Sequence, residues 1–212
     1  MKKQVLCLFL CLLCLAALPS AALADGEPER EIVASGDWEY ALLEDGSAEI
    51  TGYTGGEEEL TIPDTLDGHP VTAIGDAAFY GCYSLTSVTI PDGVAEIGMN
   101  PFIRCDALDS VIVSSDHPAL EVVDGVLFSK ADKRLICYPC VKTDDRYTIP
   151  EGIEIIGDYA FRACDSLTDV TIPDGVTSIS DYAFNECGSL TSVTIPDGVT
   201  TIGYGAFPSA GA

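Results

Sequence analysis

The sequence places two cysteines, Cys137 and Cys140, on either side of a Tyr-Pro pair. A Cys-x-x-Cys motif can support thiol–disulfide exchange when a helix N-terminus lowers the pKa of its first thiol. Here the motif follows "LFSKADKRLI", which has the pattern of a β-hairpin, so we expect no helix end beneath it. We interpret the pair as a local disulfide or as two separate thiols. A thiol-redox protein acting through Cys137 and Cys140 is the less favoured alternative.

Four further cysteines occupy one recurring position. Cys82 and Cys105 are 23 positions apart, and so are Cys164 and Cys187. Cysteine is small and among the most often buried residues, so a repeated position favours four buried thiols. The alternative is a disulfide between neighbours, Cys82–Cys105 or Cys164–Cys187, because adjacent coils of a stacked repeat would bring them within disulfide reach.

Carboxylates also recur, in the turns at Asp92, Asp174 and Asp197, with Glu151 in the equivalent place of a fourth turn. Stacked carboxylates could offer oxygen ligands to calcium. However, Pro-Asp-Gly is a turn signal in its own right, and one carboxylate per turn is a small ligand set. We therefore interpret these residues as structural and predict no metal site.

The sequence contains no recognisable catalytic constellation. His69 and His117 each precede a proline in a turn-like context, without a serine or cysteine nucleophile nearby. The motifs of α/β-hydrolases, zinc proteases and P-loop nucleotide-binding proteins are missing from the sequence. We therefore predict that the protein is not an enzyme and binds no cofactor.

The first 24 residues have the order of a secretory signal peptide. Lys2 and Lys3 precede the apolar run "VLCLFLCLLCLAAL", and small residues follow at positions 22–24. This order predicts cleavage after Ala24. A membrane anchor is the disfavoured alternative, because the run is short for a spanning helix and Pro19 interrupts its end. We expect a secreted or cell-surface protein with no membrane insertion after cleavage.

The net charge restricts the partners. The chain has 10 basic and 34 acidic residues, and removing two lysines with the leader leaves 8 − 34 = −26. Such a surface repels nucleic acid and anionic lipid, so we exclude both as partners. Because 47% of the residues are hydrophobic, the chain is not a disordered acidic segment and must bury a core.

Eleven residues, "SLTSVTIPDGV" at 84–94, return unchanged at 189–199 and with one change at 166–176. Phenylalanines keep the same step of 23 from Phe79 to Phe102 and from Phe161 through Phe184 to Phe207. A fixed period of this length is the signature of a repeat architecture. We therefore interpret the string as a structural unit and not as a site.

Within a unit, Val88 and Ile90 alternate with Ser87 and Thr89, which is the period of a strand with one buried face. Such a coil cannot bury its own apolar edge, so coils must stack. We predict an α/β-type solenoid with a parallel β-sheet on one side and short helical or 3-10 turns on the other. The predicted core residues are Leu85, Val88, Ile90, Val94, Ile97, Phe102, Leu108, Phe161, Leu167, Val170, Ile172, Phe184, Leu190, Val193, Ile195 and Phe207.

The segment "LTSVTIPDGVTTIGYGAF" and the equivalent segments of the other units resemble the BspA-type leucine-rich repeat of bacterial surface and secreted proteins. Two further stretches resemble elements of that family. "DGSAEITGYTGGEEELTIPDTLDGHPVTAIGDAAF" resembles its opening unit, and "VVDGVLFSKADKRLICYP" resembles its inserted hairpin unit. The resemblance implies a leucine-rich-repeat-like solenoid with an N-terminal capping hairpin over residues 38–59 and an inserted hairpin over about 114–146.

The domain organisation follows from these limits. We predict a signal peptide over residues 1–24, a flexible lead-in over 25–37, one solenoid domain over 38–207 and a short tail over 208–212. The last coil stops directly after Phe207, and the tail "PSAGA" carries no polar cap. The predicted coils begin near Leu60, Leu85, Leu108, Tyr147, Leu167 and Leu190.

Small polar residues recur on the predicted solvent side of the strands. They suit exposed strand positions by propensity, and they could also form a recognition surface, because repeat arrays bind through extended faces. The sequence leaves both explanations open. The candidate ligand-binding residues are Ser87, Thr89, Ser110, Thr148, Asp169, Thr171, Ser192 and Thr194.

The resemblance implies adhesion to host proteins, mucosal surfaces or neighbouring cells. We therefore expect a non-catalytic binding module whose partner is a protein or a glycan at a cell or host surface. The hairpin over residues 127–138 is expected to protrude as a second contact. The alternative is an architectural repeat protein that self-associates through its uncapped end.

Overall fold

The computed structural model describes residues 30–208 and shows a solenoid built from eighteen short strands. The predicted signal peptide with its cleavage site after Ala24, and residues 209–212 of the predicted tail, lie outside the described residues. Residues 30–208 contain no helix, and therefore none that could cross a bilayer. The strands are β1 (Ile32–Ser35), β2 (Trp38–Leu42), β3 (Ala48–Tyr53), β4 (Glu59–Thr61), β5 (Thr65–Leu66), β6 (His69–Ile74), β7 (Ser87–Thr89), β8 (Glu96–Ile97), β9 (Ser110–Ile112), β10 (Leu120–Val123), β11 (Val126–Ser129), β12 (Arg134–Cys137), β13 (Arg146–Thr148), β14 (Ile155–Ile156), β15 (Asp169–Thr171), β16 (Ser178–Ile179), β17 (Ser192–Thr194) and β18 (Thr201–Ile202).

Each regular coil contributes one strand to each of two sets of parallel strands. The first set is β4-β7-β9, continued after the insertion by β13-β15-β17. The second set is β3-β6-β8, continued by β12-β14-β16-β18. The step of 23 residues keeps equivalent positions in register, so that Val170 pairs with Val193 and Ile156 with Ile179.

An antiparallel hairpin caps the N-terminal end, as predicted, and β2 and β3 form it. Trp38 on this hairpin packs its ring 4.6 Å from that of Tyr53 and edge-on to Phe79, which covers the open end of the first coil. Strand β1 extends the cap by pairing antiparallel with β2. Residues 32–35 are therefore part of the sheet, and the expectation of a flexible lead-in is wrong for them.

The side of the solenoid opposite the strands consists of turns, so the expectation of short helical pieces is wrong for the described coils. Residues on either side of the buried phenylalanine have left-handed backbone angles, for example Tyr159 at φ 54° and Ala163 at φ 59° around Phe161. A helix cannot continue through such residues. Turns follow the same pattern around Phe184, where Tyr182 and Glu186 are left-handed.

A column of aromatic rings forms the centre of the turn side. Phe161, Phe184 and Phe207 stack nearly parallel, with ring centres 4.9 Å and then 5.3 Å apart. Most of the predicted core residues are buried, but Leu190, Val193 and Phe207 are half-buried. Ile195 is 41% exposed, contrary to expectation, because it lies in the last described coil and no described coil covers it.

The inserted hairpin lies inside the stack, between the preceding and the following coils, and does not protrude. Val126, Phe128 and Leu135 pack into the core formed by the following coils. Their neighbours Leu127 and Ile136 pack into the core formed by the preceding coils. Side chains alternate between the faces of a strand, so a hairpin with both faces apolar can cover two open coil ends. The expectation of an exposed second contact over residues 127–138 is wrong for this reason.

We predict that removing one ring from the aromatic column destabilises the whole solenoid. Phe161 is fully buried between Tyr138 and Phe184, so Phe161→Ala should lower the free energy of unfolding by about 3–5 kcal/mol. Tyr204→Ala is the control, because Tyr204 is 76% exposed, and it should change stability by less than about 0.5 kcal/mol. Chemical denaturation of both variants measures the difference, and equal midpoints would contradict the prediction.

Candidate functional site

The predicted ligand-binding residues lie on two separate three-stranded patches. The first patch is β4-β7-β9, in which Ser87 lies between Glu59 and Ser110. The second patch is β13-β15-β17, in which Asp169 lies between Arg146 and Ser192. The inserted hairpin separates them, so the strand face is not continuous. In the second patch one unbroken row contains Thr148, Thr171 and Thr194.

The hydroxyl groups of this face have no partners within residues 30–208. None of Thr89, Thr148, Thr171 and Thr194 donates a side-chain hydrogen bond there. Threonines elsewhere in the repeat behave differently: Thr191 Oγ1 donates to the Thr168 carbonyl (3.2 Å), and Thr168 Oγ1 donates to the Asp145 carbonyl (3.0 Å). The repeat therefore has two kinds of threonine. Ladder threonines donate hydrogen bonds that join coils, and face threonines donate none within residues 30–208.

Sequence reasoning missed the ladder threonines, although a signal was present. Thr168 and Thr191 each directly follow the first leucine of their unit. In a second ladder, Thr200 Oγ1 donates to the Thr177 carbonyl (3.3 Å). These hydroxyls satisfy carbonyl groups between coils. The face also carries more charge than expected, because Glu59 borders the first patch and an Arg146–Asp169 ion pair (3.9 Å) lies on the second.

A disulfide joins Cys140 to Cys164, with 4.5 Å between their Cα atoms. The expectation that Cys164 is a free thiol is therefore wrong, and Cys140 does not pair with Cys137. The hairpin is the physical reason, because it inserts a coil in which Cys140 lies against the turn that carries Cys164. Their separation of 24 residues departs from the repeat step of 23 and gave no sign of pairing.

The other cysteines among residues 30–208 are free thiols: Cys82, Cys105, Cys137 and Cys187. Cys105 Sγ donates to the Phe79 carbonyl (3.1 Å), and Cys187 Sγ donates to the Phe161 carbonyl (2.9 Å), one coil earlier. Burial raises the pKa of Cys187 to about 11 and that of Cys137 to about 12. A thiol-exchange nucleophile needs a lowered pKa, so these environments disfavour redox chemistry at Cys137. Cys82 is only partly buried, contrary to expectation.

Asp92, one of the turn carboxylates, and His117 have structural contacts. Asp92 accepts a hydrogen bond from the Ser114 hydroxyl (2.6 Å) at the start of the insertion. Buried His117 accepts the Leu120 amide at Nδ1 (3.0 Å) and lies 3.1 Å from the Pro91 carbonyl at Nε2, which fits a neutral ring that donates there. Within residues 30–208, no group of three or more His, Cys, Asp or Glu side chains could hold a metal ion.

The repeat identifies the family. Residues 56–131 and 137–210 match six copies of the BspA type leucine rich repeat region. The chain belongs to this family. The six copies agree with the six strands of the first parallel set, and the interruption between residues 131 and 137 falls within the inserted hairpin of this BspA-type protein.

Solved structures of bacterial leucine-rich repeat proteins are similar to this chain at low identity, and the first of them shows the same fold. A leucine-rich repeat protein from Eubacterium ventriosum is 21% identical, over 80% of this chain and 66% of that one, with a TM-score of 0.57. This BspA-type chain thus spans just under two thirds of that protein. A Treponema pallidum (T. pallidum) leucine rich repeat protein is 24% identical, over 82% and 86%, with a TM-score of 0.49. A comparison with curated proteins finds no match.

We predict a distinct order of cysteine reactivity in this BspA-type protein. Without reductant, a maleimide should label Cys82 first, and Cys105, Cys137 and Cys187 should react only slowly until the chain is unfolded. Burial raises the pKa of Cys82, so a smaller fraction is thiolate at pH 7, and labelling should accelerate about tenfold per pH unit up to pH 9.

Peptide mass spectrometry after labelling measures this order and should recover Cys140 joined to Cys164. The same digestion after reduction is the control, in which both cysteines should become labelled. Labelling of Cys140 or Cys164 in the unreduced protein would contradict the disulfide.

Proposed function

We propose that this protein is a non-catalytic binding module, exported from a bacterium, that recognises a protein or glycan ligand through its strand face. One observation carries the proposal: the face threonines present hydroxyl groups that no residue among 30–208 engages, whereas the ladder threonines are hydrogen-bonded. Adhesion to a host or to neighbouring cells is the role that such a surface fits best. Repeat arrays use extended faces of this kind for binding.

The geometry of the second patch supports recognition of an extended ligand. Thr148, Thr171 and Thr194 stand directly beside one another on paired strands. Neighbouring strands are about 4.8 Å apart, so the row offers a donor and an acceptor at a regular short spacing. The acidic surface favours neutral or basic ligands over anionic ones.

The disulfide supports export. Cys140–Cys164 is a cross-link between coils, and disulfides persist mainly in oxidising compartments outside the bacterial cytoplasm. This agrees with the secretory leader proposed for residues 1–24. A release into the medium and a retention at the cell surface both fit these observations.

We predict that charge and bulk on the second patch abolish binding. The purified protein is screened against mucins, extracellular-matrix proteins and a glycan array. For a protein ligand found there, Thr171→Lys with Thr194→Lys should reduce affinity at least about tenfold, because the lysines cover the hydroxyl row. Thr201→Lys is the matched control, since Thr201 is an exposed threonine on β18 of the other sheet, and it should bind as the parent does. Equal binding by all variants would contradict the strand face as the site.

A second candidate function is self-association through the outer face of the last described coil. Strands β17 and β18 each pair on one side only within residues 30–208, and Ile195, Ile202 and Tyr204 are exposed beside them. An open edge with apolar side chains is a template for another strand. This observation favours an architectural protein.

We predict for this second candidate that sedimentation velocity shows an assembly that grows with protein concentration. Ile202→Glu should shift the assembly toward monomer, because it places a charge on the contact surface. Ile112→Glu is the control, as Ile112 is exposed on the first patch and away from the end. A monomer at every concentration would contradict self-association and leave the binding proposal as it stands.

A further inference from the structure

A cleft interrupts the turn side of the solenoid beside the inserted hairpin. It is a cavity of about 330 Å³ between the coil carrying residues 100–108 and the coils that follow the hairpin. The buried residues Cys105 and Cys137 line its inner part, and charged residues line its opening. This volume is within the range of small-molecule and saccharide sites.

The insertion creates the cleft. In regular coils six positions separate the stacked phenylalanine from the next leucine, as from Phe161 to Leu167. In the hairpin coil nine positions separate Tyr138 from Tyr147, and the chain follows another path there. Asn100 bridges the gap with a hydrogen bond from Nδ2 to the Tyr159 carbonyl (3.0 Å). This bond fixes the turn that carries Asn100 relative to the turn that carries Tyr159.

Arg162 is the fixed polar group of the cleft. Its side chain is only 12% exposed, is paired with Glu186 and lies 3.9 Å from Asp106. Asp165 lines the same cavity. The ion pairs therefore hold guanidinium donors and carboxylate acceptors next to each other before a ligand binds. A ligand that uses them loses little entropy in ordering the site.

Two exposed tyrosines, Tyr80 and Tyr83, lie next to Arg104 at the cleft. Arg104 lines the cleft, and its Cζ atom lies 5.9 Å from the centre of the Tyr80 ring. Tyr80 is 57% exposed and Tyr83 is 59% exposed, although large rings are usually covered. Tyr83 lies beside Arg104, and its hydroxyl is the main cause of a raised Arg104 pKa. Arg104 forms no ion pair among residues 30–208, in a chain where acidic residues greatly outnumber basic ones.

The chemistry of these groups selects one class of ligand. Two arginines face Asp106, Asp165 and Glu186, so the cleft is nearly balanced in charge, while the acidic protein as a whole repels anions. A sugar hydroxyl donates to a carboxylate and accepts from a guanidinium at the same time. The C–H face of a sugar ring carries slight positive charge and complements the negative face of a tyrosine ring.

We propose that this cleft binds a neutral oligosaccharide, with one sugar ring among Arg104, Asp106 and Arg162 and the adjoining ring over Tyr80 or Tyr83. The site is separate from the strand face, because no residue that lines it belongs to β4, β7, β9, β13, β15 or β17. It therefore does not depend on the function proposed for that face.

The test is a printed array of neutral and acidic oligosaccharides, probed with the purified protein. The neutral oligosaccharide that binds best is then titrated by calorimetry. Arg104→Ala and Tyr80→Ala should each weaken it at least about tenfold, since each removes one contact group. Tyr204→Ala is the matched control, being another exposed tyrosine on the last coil, and Thr171→Lys is the control for the strand face. Both should bind as the parent does.

Arg104 and Tyr80 are exposed, so their variants should keep the parent's thermal unfolding curve, which is recorded with each titration. The proposal is overturned if no neutral oligosaccharide binds, if only acidic ones bind, or if affinity survives both substitutions. Loss in Thr171→Lys alone would place saccharide binding on the strand face and would also overturn the cleft. Loss of oligosaccharide binding in Arg104→Ala and Tyr80→Ala, with binding retained in both control variants, supports the cleft as the site.

Discussion

Each coil depends on the next for both its hydrogen bonds and the cover of its apolar edge. Phe161 and Ala163 donate their amides to Ala183 and Asn185 in the following turn, and the Phe161 ring lies on that of Phe184. Neither contact exists within a single coil. The same residue type must therefore recur at the same position, and identity across the units is a packing requirement, whereas a catalytic site would break it.

The inserted hairpin follows from this dependence. Any insertion in the stack exposes two coil ends, and the hairpin covers both because its opposite faces are apolar. At its edge the Arg134 guanidinium donates to the Ile97 and Gly98 carbonyls, 2.7 Å and 3.0 Å away. These bonds occupy acceptors at the end of β8, on the edge that no strand pairs within residues 30–208. The hairpin thus preserves the stack while dividing the strand face into two patches and opening a cleft on the turn side.

The free thiols and the basic side chains occupy different parts of the solenoid. The buried thiols are held inside the turn column, where desolvation keeps them protonated and unreactive. The disulfide lies where the insertion brings two turns together. Basic side chains cluster at the hairpin and the cleft, where Arg104, Arg134 and Arg162 join coils or line the opening. These basic groups therefore lie at the interruption of the repeat.

The sequence by itself determined the period and most of the core positions predicted from it, because these follow from spacing and residue type, while the resemblance to a known family implied the capping hairpin. It did not determine the disulfide, the left-handed turns or the exposure of Ile195, because each depends on which coil lies next in space. The hairpin shows the difference most clearly. From the sequence we expected the hairpin to protrude, and only the tertiary structure shows that its two faces lie against two separate cores and that a cleft opens beside it.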